Sequence, residues 1–193
     1  MNQSYLIGID IGTSACKVAL FDRSGCVLAA ANGDYPVYYP KEGWAEQNPE
    51  EWWSAVCGAV RQVIEEASVA PEEIAGVGID GQSWSAIAID RNGHVLTNTP
   101  IWMDTRAQSV CDRLNEEIGA EAIFEVAGNS LQPSYTTAKI LWYKENLPEV
   151  YAKIDKILQS NSFIAFKLTG AVSQDLSQGY GLQCFDMRTG KWN

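Results

Sequence analysis

The segment Gly8-Ile9-Asp10-Ile11-Gly12-Thr13-Ser14-Ala15-Cys16-Lys17 sets an acid inside an apolar run and follows it with a Gly-Thr-Ser turn. A carboxylate in such a run costs free energy unless something compensates it. A divalent cation would do so, while Gly12 lets the backbone approach an anion and Thr13 and Ser14 offer hydroxyls and N–H groups to phosphate oxygens. The same residues also fit a plain hairpin in which Asp10 is hydrogen-bonded to its own turn. The spacing is not that of a Walker loop, because G-x-x-x-x-G-K-[ST] is absent and a strand, not a helix, comes next. Further along, Asp175 in Gln174-Asp175-Leu176-Ser177 reads on its own as a helix N-cap.

Composition narrows what such a turn could serve. Fourteen Lys and Arg stand against 24 Asp and Glu in 193 residues, a net charge of −10. With no Lys/Arg cluster, nothing neutralises a phosphate backbone, so nucleic acid and anionic membrane are excluded as partners. Met1-Asn2-Gln3-Ser4 has no basic character, and no apolar stretch nears the ~20 residues of a membrane helix, so a cytoplasmic protein is expected. The five cysteines, Cys16, Cys26, Cys57, Cys111 and Cys184, are scattered and lack a C-x-x-C pair, which points to buried thiols rather than disulfides or zinc. His94, the one histidine, lies in the turn sequence Asp90-Arg91-Asn92-Gly93-His94, a surface hairpin position rather than a catalytic one.

The elements that must position these groups follow from periodicity. Residues Tyr5–Gly12, Ala15–Asp22 and Cys26–Tyr35 read as three strands joined by tight turns. Asn48 can cap a helix beginning at Pro49, with Glu50 and Glu51 in its first turn and an apolar face on Trp52, Val56, Ala59, Val60, Val63, Ile64 and Ala67. Ile74–Asp80 and Ser85–Asp90 read as two more strands of the sheet. After Asp104 the chain reads as mostly helical, with Arg106–Ile118, Ala120–Val126, Thr136–Asn146 and Pro148–Ile154 as candidates, then a strand at Lys156–Leu158 and a helix at Ser162–Leu168. Strands, a helix, a strand and further helices make an α/β protein with a mixed sheet, and two large domains are not expected at this length.

The opening motif resembles the first phosphate motif of the superfamily of actin, sugar kinases and heat-shock chaperones, whose fold is ribonuclease H-like. Gly43-Trp44-Ala45-Glu46-Gln47-Asn48-Pro49-Glu50, Gly78-Ile79-Asp80-Gly81-Gln82 and Ile101-Trp102-Met103-Asp104-Thr105-Arg106 resemble, in order and spacing, motifs of the FGGY family of carbohydrate kinases. Lys139-Ile140-Leu141-Trp142 is similar to the family's K-x-L-W helix, and Phe166–Gly170 with Asp175-Leu176-Ser177 is similar to its L-T-G…D-x-S segment.

This resemblance implies a ribonuclease H-like α/β domain, a mixed sheet flanked by helices with helical insertions. Residues 1–193 would be an N-terminal sugar-binding domain, with the C-terminal ATP-binding domain absent from this chain. It implies ATP-dependent phosphorylation of a sugar hydroxyl, with ATP and Mg²⁺ as cofactors. Asp10 would orient the metal, directly or through water. Gly12, Thr13 and Ser14 would contact the transferring phosphate, Lys17 would add positive charge, and Asp175 would be the general base. Gln82, Ser83, Trp84, Trp102 and Asp104 would meet the sugar, although Asp104 and Arg106 also fit the start of a helix. The xylulokinase and gluconokinase groups look most similar, but Ser83-Trp84 stands where xylulokinases carry Met-His, so a ketose, a polyol and an aldonate all stay open. The alternative is a catalytically inactive sugar-binding or actin-like ATP-clamp module. Loss of a partner domain would also leave an apolar patch and a tendency to form a homodimer or aggregate.

Overall fold

Ile7, Ile9 and Ile11 alternate with Gly8 and Asp10 along the first strand, so one face of a sheet is apolar and the other is not. The computed structural model describes residues 4–192. Strands β1 (Tyr5–Ile11), β2 (Ala15–Asp22) and β3 (Val27–Asp34) form an antiparallel meander, as the sequence predicts. A two-residue ladder, β4 (Glu46–Gln47) against β7 (Thr99–Pro100), lies beside it. Helix α1 (Pro49–Ala67) begins where expected, with Asn48 Oδ1 accepting the Glu50 N–H and Pro49 in the first turn. Its buried residues Trp52, Val56, Ala59 and Val63 pack on the apolar face of the sheet, each large side chain contributing roughly 1.5–3 kcal/mol.

After α1 the chain returns in β5 (Ile74–Gly81), which pairs parallel to β1 and gives a four-stranded mixed sheet in the order β3-β2-β1-β5. The register matters for function: Asp10 lies opposite Lys17 on one neighbour and beside Asp80 on the other. The next strand, β6 (Ile87–Ile89), does not join this sheet, contrary to expectation. Trp84 adopts a left-handed backbone with φ of 64° and turns the chain out of the sheet, so β6 pairs instead with β8 (Lys156–Leu158). The alternation of this segment then joins two cores. Ile87 and Ile89 enter the sheet core, while Ala86 and Ala88 enter a second cluster with Val110, Leu131, Ala138 and Trp142.

That second cluster belongs to the helices. The expected helix from Arg106 is shorter, α2 (Gln108–Leu114), and a wide turn at Asn115–Gly119 leads into α3 (Ala120–Ala127). Helix α4 (Thr136–Asn146) matches its prediction, α5 (Pro148–Tyr151) is a single turn, and α6 (Ser160–Thr169) starts two residues early and packs Phe163 and Ile164 into the sheet core. A 3₁₀ segment at Leu176–Gly181 and the short hairpin β9 (Phe185–Asp186) with β10 (Lys191–Trp192) follow. Cys16 and Cys111 are buried as expected, but Cys26 and Cys184 are exposed. His94 is on the predicted turn, exposed and 3.3 Å from Asp90 Oδ2. Among the described residues no helix is long and apolar enough to cross a membrane.

Candidate functional site

The turn between β1 and β2 is braced from within. Tyr35 OH donates to Gly12 O at 2.7 Å, and Gln82 Nε2 donates to the same oxygen at 3.3 Å. Gln47 Nε2 donates to Thr13 O at 2.8 Å, and the Tyr35 N–H donates to Ser14 O at 3.2 Å. In a trans peptide the C=O of one residue and the N–H of the next point opposite ways. Drawing the oxygens of Gly12 and Thr13 into the protein therefore turns the N–H groups of Thr13 and Ser14 outward, the arrangement an anion needs. A side chain at position 12 would place its Cβ 2.9 Å from Ala15 O, so the turn requires glycine. Tyr35 is buried beneath it, and burial pushes its hydroxyl pKa up, keeping it a neutral donor.

Asp10 stands on the non-core face of β1 with its side chain 49% exposed, 3.6 Å from a Lys17 ammonium that is 70% exposed. Among the described residues no group of three or more metal-type side chains converges. A magnesium ion takes one or two carboxylates and completes its shell with water and phosphate. Asp10 would hold it, with Asp80 beside it in register.

Facing the turn across a recess of about 400 Å³ are Gln82, Ser83, Trp84 and Trp102, while Asp10, Gly12 and Thr13 line the other side. The two sides touch, because Trp102 Nε1 donates to Thr13 Oγ1 at 3.0 Å. Gln82 is a brace as well as a wall: its Nε2 also donates to Gln47 Oε1 at 2.8 Å. The Trp84 ring lies 4.7 Å from Tyr135 and 5.9 Å from Tyr180, centroid to centroid, and the two tyrosine hydroxyls meet at 2.8 Å. Burial, then Tyr180, pushes the Tyr135 hydroxyl up to about 12. A Cβ on Gly181 would sit 2.1 Å from the Trp84 ring, so only glycine lets the 3₁₀ segment close on it.

The segment that carries Trp84 is fastened to one face of α4. Lys139 Nζ donates to Trp84 O at 2.8 Å, Thr136 Oγ1 to Ser85 O at 3.1 Å and Tyr143 OH to Ala86 O at 3.0 Å. Residues 136, 139 and 143 share one helix face, so three side chains stand where a neighbouring strand would otherwise satisfy three successive carbonyls.

Asp104 and Asp175 lie elsewhere, and Lys17 lines the groove on the open face of the sheet instead of the recess. Asp104 has no exposed surface and does not line the recess. It accepts the Ala45 N–H at 2.7 Å and two bonds from Arg106 Nε at 2.9 and 3.0 Å. Arg106 reaches Glu46 at 2.8 Å and stacks 3.7 Å from the Trp44 ring centroid and 5.1 Å from that of Trp142. Asp175 is the cap that its local sequence suggests: Oδ1 accepts from Ser177 Oγ and the Gln178 N–H, and Oδ2 from Asn161 and Gln174. Slight burial raises its pKa, but the bonds from Ser177 and Asn161 outweigh that and hold the carboxyl below the usual range. Its carboxylate is not in the recess wall.

A separate groove of about 580 Å³ runs over the open face of the sheet past Gly8, Asp10, Lys17, Phe21, Asn32 and Asp80. It is larger but mostly apolar, and it lacks the convergent donors of the recess. Sequence reasoning passes over Tyr35, Tyr135, Tyr180 and Lys139 as site residues, and gives Gln47 no role. Three donors on one face of α4 were the available signal for Lys139.

The chain as a whole matches known proteins in sequence and in fold. The N-terminal domain of the FGGY family of carbohydrate kinases matches residues 5–193. The chain belongs to that family. It is 31% identical to the xylulose kinase of Bacillus subtilis over 98% of this chain and 38% of the relative, and 31% identical to the glycerol kinase of Mycoplasma pneumoniae over 100% of this chain and 40% of the relative. Among solved structures, that of a xylulose kinase from Brucella ovis superposes with a TM-score of 0.90 at 30% identity, over 98% of this chain and 39% of that one. The fold is thus that of the actin-like sugar kinases. The chain spans about two fifths of the length of these relatives.

Proposed function

We propose that this chain is the sugar-binding part of an ATP-dependent kinase that phosphorylates a hydroxyl of a small polyol, ketose or aldonate. The observation that carries the reading is the shared wall of the recess. The phosphate turn and the aromatic side meet at the Trp102–Thr13 bond, so an acceptor lying against Trp84 and Trp102 has its hydroxyl beside the outward N–H groups of Thr13 and Ser14. Phosphoryl transfer needs positioning and stabilisation of charge more than covalent help from the protein. The backbone N–H groups of the turn would hold oxygens of the transferring group, and the aromatic rings would cover the C–H face of the acceptor. Bound magnesium would neutralise phosphate charge, held by Asp10. Asp175 is given the capping role, and the acceptor's proton is assigned to no described residue.

The nucleotide's base and sugar would be held by the C-terminal portion that the relatives have beyond this match. The test is ADP formation by the full-length protein with Mg-ATP and a panel of sugars, polyols and aldonates, beside titration of the 193-residue chain with each ligand. Acceptor-dependent ADP formation, with sugar but little ATP bound by the short chain, is expected. Sugar binding without turnover would make it an inactive binding module, and tight ATP binding or hydrolysis by the short chain would make it a self-sufficient nucleotide clamp.

A further inference from the structure

We infer that Lys139, which does not touch the recess, is the positioning residue that sets its width by tying together the two chain segments that carry its aromatic walls. Its Nζ donates to Trp84 O at 2.8 Å and to Ile101 O at 2.8 Å. Trp84 is one wall of the recess, and Ile101 directly precedes Trp102, the other. These segments follow different strands, β5 and β7, with 17 residues of chain from Trp84 to Ile101. One ammonium therefore fixes two lips. This inference rests on the proposed function, since it assigns the width of the acceptor site.

Three features support a positioning role over simple core filling. First, Lys139 has no exposed surface, so its amine meets neither solvent nor acceptor, and its effect must pass through the groups it binds. Second, Trp84 holds a left-handed backbone that a bulky residue rarely adopts. Such a conformation persists only where surrounding structure over-determines it. The Lys139 bond to its carbonyl does so together with ring packing on Tyr135 and Tyr180. Third, two convergent carbonyls need a donor with at least two N–H bonds at one atom, which an amine supplies and a hydroxyl does not. Burial draws the amine's pKa down to about 7, with Asp104 raising and Arg106 lowering it. Charged or neutral, the nitrogen keeps two N–H bonds, so the bracket survives either state.

Thr136 and Tyr143 hold Ser85 and Ala86, beyond the recess. This makes Tyr143→Phe a fold control on the same helix: it deletes the buried hydrogen bonds that the hydroxyl makes with Ala86 O and Thr99, and removes none of those to Trp84 O or Ile101 O. The experiment uses the full-length protein with the acceptor that the panel identifies. It measures acceptor affinity by calorimetry, KM for acceptor and for ATP separately, and Tm, for the parent, Lys139→Met, Lys139→Arg and Tyr143→Phe. Lys139→Met keeps length but has no donor. It should weaken acceptor binding and raise acceptor KM by about tenfold or more, with KM for ATP within about threefold, because misplacement by an ångström is costly for reacting groups. Lys139→Arg keeps donors on a longer stem and should show a smaller change in the same parameter. Tyr143→Phe should lower Tm and leave acceptor affinity alone. If the parent binds acceptor and whichever Lys139 variant is soluble binds it equally well, with only Tm lowered, the inference is overturned and the proposed function stands. If the parent binds no acceptor, both fall.

Discussion

Asp10 and Asp104 are two acids close to one recess, and the fold treats them in opposite ways. Asp10 keeps half of its side chain in water, and its contact with Lys17 at 3.6 Å is between exposed groups. A pair of that kind is worth ~0–1 kcal/mol, so a cation can take it over at little cost. Asp104 is fully enclosed, with its oxygens taken by Ala45 and by Arg106, whose guanidinium is 3% exposed. Its charge supports the fold and has nothing left to offer a ligand. Acidity beside a recess is therefore a poor guide to a binding role. Lone pairs that face solvent are the better one, and Asp10 has them.

The contrast can be broken most severely at Arg106. Replacing it with methionine leaves the Asp104 carboxylate buried and uncompensated, and strips the cation from between Trp44 and Trp142, at a cost of about 3–5 kcal/mol. For a chain of this size that corresponds to a Tm lower by roughly 10 °C. Scanning calorimetry of the variant against the parent checks it, and a Tm unchanged within experimental scatter would show the network to be as dispensable as a surface pair. Asp104→Leu combined with Arg106→Met should recover part of the loss, because the fully buried carboxylate is removed together with its partner, while Glu46 still loses its own.

At Asp10 the effects should be reversed. Asp10→Asn is an exposed change and should move stability by no more than about 0.5 kcal/mol. Turnover by the full-length protein should fall on the order of 10²-fold or more, since a metal ion supplies several kcal/mol of transition-state stabilisation. Initial rates over a magnesium titration read this directly. Near-parent turnover at ordinary magnesium would return Asp10 to the hairpin role.

The turn was legible in sequence because its signal is local: an acid in an apolar run, a glycine that a close approach demands, and a strand on either side. The start of α1 was legible for the same reason, with Asn48, Pro49 and two acids in consecutive positions. What escaped depends on distant partners. Asp104 was assigned to the sugar although Arg106, two residues on, is the partner that buries it. β6 alternates like any strand, and nothing local shows that the turn at Trp84 carries it to β8. Lys139 looked like one residue of a family motif. Only the folded chain brings carbonyls 55 and 38 residues away onto its amine.

The smallest effect is expected at Asp175, and it sharpens the comparison by asking which kind of acid this third one is. Its oxygens are occupied, as those of Asp104 are, but it is exposed, as Asp10 is. Asparagine caps a helix about as well as aspartate, so Asp175→Asn should keep the bonds from Ser177 and Gln178 and change stability at neutral pH by less than about 1 kcal/mol. Turnover should stay within about threefold, whereas loss of a general base would cost on the order of 10²-fold or more. The carboxyl is held below its ordinary pKa, so its contribution to stability is present above the unfolded value, about 3.9, and is lost as pH falls through the lower folded value. The asparagine variant has no such proton to take up, and its stability should decline less than the parent's over that acid range. A parent and a variant with parallel acid limbs, together with a collapse in turnover, would move Asp175 from the cap to the chemistry.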